Sequence, residues 1–117
     1  MDEINDSILK TIAKMMGPSI GDDYFNPDFI WHINAALSRL CQLGVGMTAP
    51  EPYHITGEGN KWSEFIEDGQ LEEVKQYIWL KVKQVFDPPT ANAVKAAYDE
   101  RIKELEWLMR EVAEVGY

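Results

Sequence analysis

The sequence predicts an all-α fold: a small four-helix domain with a long structured loop between helices 2 and 3. Three observations carry this expectation. Wound at a helical period, residues 71–86 place Leu71, Val74, Ile78, Val82, Val85 and Phe86 on one face. The run stops at Asp87-Pro88-Pro89, where two prolines supply no amide hydrogen for the ladder and push Asp87 out of the helical region. Asn26-Pro27 gives the matching start signal, a capping side chain followed by proline at the first helical position. Tyr77 and Leu80 point away from the apolar face of 71–86, so this helix needs neighbours on two sides. The loop 44–69 or a neighbouring subunit is expected to cover them.

In chain order, Asn5 or Asp6 can cap a first helix that runs to about Met16, with Ile8, Leu9, Ile12 and Met15 or Met16 on one side, and Gly17-Pro18 ends it. Residues 19–26 read as a polar turn. Its Asp22-Asp23 pair is the composition of a solvated turn rather than the spacing of a metal site. The second helix runs from Pro27 to Leu43 and closes on Gly44. Its core arc holds Phe29, Ile30, Ile33, Ala36, Leu37, Leu40, Cys41 and Leu43, while His32, Arg39 and Gln42 lie opposite. Trp31 falls among the polar residues and is expected either to cover a loop of its own subunit or to meet another subunit.

From Gly44 to Gly69 the helical period disappears. Five of the eight glycines lie here, yet Tyr53, Ile55, Trp62, Phe65 and Ile66 argue against disorder. Residues 53–56 alternate like a short extended segment, 57–60 read as a turn, and 63–66 can form one helical turn that anchors the loop. Gly57, Gly59 and Lys61 do not match the spacing of a phosphate-binding loop, and Glu58 would repel a phosphate. Thr90 can cap a last helix reaching about Val115. Val94, Ala97, Tyr98, Ile102, Leu105, Leu108, Met109 and Val112 form its apolar arc, with Asp99–Lys103 and Glu106–Arg110 as favourable pairs one turn apart. Trp107 lies opposite that arc, a second tryptophan out of pattern.

The 117 residues suffice for one domain, 1–117, and 45% hydrophobic with 26% charged residues is the make-up of a globular chain. Twenty acidic residues against eleven basic give a formal charge of −9, which disfavours a protein that grips nucleic acid by neutralising phosphates. The lone Cys41 permits neither an internal disulfide nor a cysteine-cluster metal site, and reads as a small buried hydrophobe. An acidic N-terminus and the lack of a long apolar run predict a soluble chain, with no membrane partner. His32 and His54 sit in different segments without metal-ligand spacing. No nucleophile, base and orienting group assemble with any specificity, so no catalytic residue, metal or cofactor is expected.

Four stretches together resemble a known family. They are NAALSRLCQLGVG at 34–46, KWSEFI at 61–66, YIWLKVKQVFDPP at 77–89 and IKELEWLM at 102–109. In this order and spacing they resemble the head-tail connector proteins of tailed bacteriophages and prophages, also called head-completion or adaptor proteins. QLGVG at 42–46 and FDPP at 86–89 are the most specific pieces. The resemblance implies a non-enzymatic structural virion protein that assembles as a ring, twelvefold in the particle. The ring lies under the portal at the head-tail junction, after assembly in the host cytoplasm. It extends the DNA channel and docks the stopper or tail protein, and DNA passes through without specific binding.

A ring needs two different complementary patches on each subunit. The residues available for such contacts are Trp31, Tyr53, Ile55, Trp62, Trp107 and Tyr117. Trp31 or Trp107 is expected at a subunit boundary, 53–56 against a neighbour or the next ring, and 111–117 against the portal. The negative charge suits a channel wall that lets DNA slide. Three other readings compete: a cytosolic helical adaptor or regulator acting as a small oligomer, a metalloenzyme using Asp22, Asp23, His32 or His54, and a DNA-binding helix pair.

Overall fold

The helix Leu71–Phe86 (α3) lies at the centre, in contact with Ile8–Met16 (α1), Pro27–Gln42 (α2) and Asn92–Val115 (α4). The structure is a computed structural model and describes residues 3–17, 27–46, 53–66, 68–86 and 88–115. Among these the fold is all-α, with the four helices in the order the sequence predicts. The Asp22-Asp23 pair and Tyr117 lie outside the described residues.

Three partners explain why α3 buries more than one face. Val74, Ile78 and Val82 are inaccessible, and so are Tyr77 and, nearly, Leu80. Tyr77 is covered by the chain's own α4, whose Glu106 accepts its hydroxyl hydrogen at 2.6 Å. Neither the loop nor a second subunit is required there. Val85, expected in the core, is 53% exposed. Its neighbour Phe86 meets Phe29 and His32 of α2 edge-on, at 5.5 and 5.3 Å between ring centres.

α3 and α4 run antiparallel. Gln84 donates to Asp99 at 2.6 Å, Trp79 packs on Tyr98, and Tyr77 reaches Glu106 farther along. These cross-helix bonds take the carboxylates of Asp99 and Glu106, which the sequence had assigned to Lys103 and Arg110 on their own helix. The first turns of α4 stand beyond the core. Residues 92–97 are all exposed, Val94 and Ala97 included, and burial begins at Tyr98 and Ile102. Leu108 is also partly exposed, so the apolar arc of α4 is narrower than its sequence pattern. The first helical bond of α4 runs from Lys95 N–H to the Ala91 carbonyl, so the cap position falls on Ala91 and not on Thr90.

The cap of α1 is Ser7, one residue later than Asp6. Its hydroxyl accepts the Lys10 amide at 3.2 Å, satisfying one of the orphan donors of the first turn. Ile8, Leu9, Ile12 and Met16 are buried, while Met15 is partly exposed. At the end of α2, Gly44 takes φ 84°. Gly44 donates to the Cys41 carbonyl and Val45 to the Leu40 carbonyl at 2.9 Å, with Val45 and Leu40 both buried. This pair of bonds, with its hydrophobic contact, is a Schellman stop. QLGVG therefore encodes a helix terminus.

Candidate interaction surfaces

The loop that precedes α3 is fastened to the core by its own side chains. Asn34, in mid-α2, accepts the Ile55 amide on Oδ1 at 2.7 Å and donates from Nδ2 to the Ile55 carbonyl at 3.0 Å. Its amide thus acts as a one-residue strand partner, and Ile55 is 1% exposed. At the other end, Ser7 and Lys61 form an isolated antiparallel bridge, with Ile8 donating to Asn60 and Trp62 to Asp6. The Trp62 indole is fully buried and donates from Nε1 to Thr11 Oγ1 at 3.1 Å, while that hydroxyl donates to the Ser7 carbonyl at 2.6 Å. A single 3-10 turn, Trp62–Glu64, anchors the segment, and Asn60 accepts the Thr56 amide to close the 57–60 turn.

The loop aromatics therefore divide. Ile55 and Trp62 are core residues of this chain, and of the contact region expected at 53–56 the exposed side chains are those of His54 and Thr56. Tyr53 is half-buried, its ring tilted against that of Phe65 at 5.4 Å between centres, and donates its hydroxyl to Glu64 at 2.8 Å. Burial and that carboxylate push the Tyr53 phenol up to about 12. The same hydrogen bond holds Glu64 below the ordinary carboxylate range, against the opposing effect of burial.

Among the described residues, Trp31 and Trp107 are the most exposed of the large hydrophobic side chains, at 66% and 60%. They lie on different helices. Trp31 rests edge-on against His32, 4.9 Å between ring centres, and His32 in turn meets Phe86. Trp107 borders a groove of about 230 Å³ between α2 and α4 that is also lined by Arg39, Leu43, Lys103, Glu106 and Arg110.

Two residues that line this groove, Arg39 and Glu106, belong to a three-helix polar clasp that sequence reasoning missed. Arg39 of α2 donates to Glu106 Oε1 at 3.2 Å, while Tyr77 of α3 donates to Oε2. Burial alone would raise the Glu106 pKa, but the hydrogen bonds from Tyr77 and Arg39 and the guanidinium charge outweigh it, and the carboxyl stays below its ordinary range. Burial first, and then the Glu106 carboxylate, push the Tyr77 phenol up. The hint in the sequence was Tyr77 itself, a buried phenol that needs a polar partner.

On the far side of α3, Trp79 is half-buried between Tyr98 and the Lys83 ammonium, which sits 5.8 Å from the ring centre. Its indole nitrogen is buried without a partner among the described residues. It borders an open groove of about 410 Å³ with Met15, Glu72, Gln76 and Arg101.

Among the described residues, no group of three histidine, cysteine or acidic side chains is placed to hold a metal, and no helix is long and apolar enough to cross a membrane. A family model described as phage connector protein matches residues 8–115, from the first residue of α1 to the last of α4. No curated protein and no solved structure matches the chain.

Proposed function

The chain belongs to the phage connector protein family, and from that premise we propose that it is a non-enzymatic head-tail connector that forms a ring beneath the portal. In this role it extends the DNA channel and offers the surface on which a stopper or tail protein docks. The observation that carries the reading is the span of the match, which covers all four helices and the loop between them. Two features of the surface support it. A closed ring is built from head-to-tail contacts, each using two unlike patches, and the two exposed tryptophans lie on separate helices. Tryptophan is the side chain most enriched at the energetic centre of interfaces. An acidic chain also suits a channel through which DNA must slide rather than stick.

The test is light scattering and negative-stain imaging of the purified chain, alone and with its portal protein. Rings seated on the portal are the expected result. A stable small dimer that never joins the portal would overturn the reading and favour a regulatory adaptor instead.

A further inference from the structure

The two flanks of α4 differ in chemistry. On the α2 side, Lys103 and Arg110 stand beside the exposed Trp107, and neither cation has an ion-pair partner among the described residues. Arg39, the third cation of that groove, is engaged with Glu106. Three of the chain's eleven basic residues thus border one groove of a molecule with charge −9. On the other side, toward the start of α3, Leu108 is 39% exposed. It lines a second groove of about 220 Å³ with Gly69, Gln70, Glu73 and Met109. Glu73 and Glu104 on this flank are exposed, and among the described residues Glu104 is engaged only by Arg101 of its own helix, a solvated pair of little energetic worth.

We propose that α4 carries a head-to-tail self-contact, in which the flank holding Lys103, Trp107 and Arg110 on one copy seats on the flank holding Glu73, Glu104 and Leu108 on the next. This rests on the ring reading and names the surfaces that would close it. Charge complementarity selects the occupant. Two copies this acidic repel one another over most of their surface, so they approach where the Lys103 and Arg110 cations meet carboxylates. The Trp107 indole supplies the apolar anchor, Leu108 and the adjoining groove its seat, and the charges around them fix register. Because the flanks lie on different sides of one helix, each copy can offer one to either neighbour.

A mixture of isotopically light and heavy chain, assembled with portal and treated with a zero-length carbodiimide, reads the contact directly. Light–heavy conjugates joining Lys103 to Glu73 or Glu104 are expected. The double variants K103E/R110E and E73K/E104K, each checked for native helicity, should assemble about tenfold less well or worse when alone, because like charges then face each other. Mixed one to one, they should recover assembly, since every contact is again complementary. Rings without such conjugates, or either variant assembling normally by itself, would overturn the contact and leave the ring reading standing. Conjugates and charge-swap rescue in a chain that forms only short open oligomers would keep the contact and overturn the ring. A salt-sensitive shift with duplex DNA, lost in K103E/R110E and unaccompanied by conjugates, would assign the cationic flank to phosphates and overturn the self-contact.

Discussion

At the scale of single residues, two positions set sharp expectations. Gly46 has φ 80°, and a Cβ placed there would lie 2.5 Å from the Phe65 ring, which is itself buried. Gly46→Ala combines backbone strain with overpacking against a side chain that has nowhere to move. A loss of about 2–4 kcal/mol is expected in denaturant unfolding. Glu106 is the second. Its pKa is lowered in the folded chain, so the stability it contributes is complete above the unfolded carboxylate range and is lost as pH falls through the lowered folded value. Tyr77 works in the opposite direction. Its raised phenol contributes fully below the ordinary tyrosine range, and that stability declines as pH climbs past it. Glu106→Gln should cost about 1–3 kcal/mol at neutral pH, with most of the loss from the buried Tyr77 bond and less from the more exposed Arg39. Thermal unfolding followed from neutral to acid pH should then fall less steeply for the variant than for the parent, because the titrating partner is gone.

At the scale of elements, what the sequence made legible was the type and order of the four helices, because each bears an apolar arc and the first three end at a clear stop. Pro88-Pro89 and Gly44 ended their helices where local chemistry required. The misses have a common physical cause. Val85, Val94 and Leu108 belong to apolar arcs by period alone, but a partner must be present at that height along the helix, and period does not report a partner's reach. Cap choice failed for a related reason. Ser7 won over Asp6 because the neighbouring backbone pairs with the loop, with Trp62 donating to the Asp6 carbonyl. The unsupported start of α4 yields its own expectation. Amide hydrogens at 95–98 should exchange orders of magnitude faster than those at 102–109, since few buried contacts oppose local opening there. Uniform protection along α4 in free protein would contradict this.

At the scale of the whole molecule, the sequence could not sort inward from outward aromatics in the loop. Ile55 and Trp62 are committed to the core by Asn34 and Thr11, partners that lie in other helices and share no local pattern with them. Asn34 itself was a faint signal, because asparagine in a helix interior usually has a bond to make elsewhere. Trp31 and Trp107, in contrast, could be read from helical period because each lies opposite the buried arc of its helix. On the ring reading, Trp31→Ala and Trp107→Ala should each leave helical circular dichroism and unfolding within about 0.5 kcal/mol of the parent, while at least one weakens assembly on the portal. Unchanged assembly in both would remove the tryptophans from the interface. Removing residues 112–117 should abolish portal association and leave the helical signal nearly intact, which a pull-down with circular dichroism on the same sample decides.

The fastening of α1 to the loop also bears on how the chain is made. Thr11 and Trp62 are 51 positions apart, so on the ribosome α1 emerges well before the side chain that secures it. At ordinary elongation rates of about 5–20 residues per second, that interval lasts seconds. A nine-residue helix is too short to hold its shape alone during that time. Ile8, Leu9 and Ile12 are left without their final partners until Trp62 and α3 follow, so their apolar surface is open to chaperones throughout that interval.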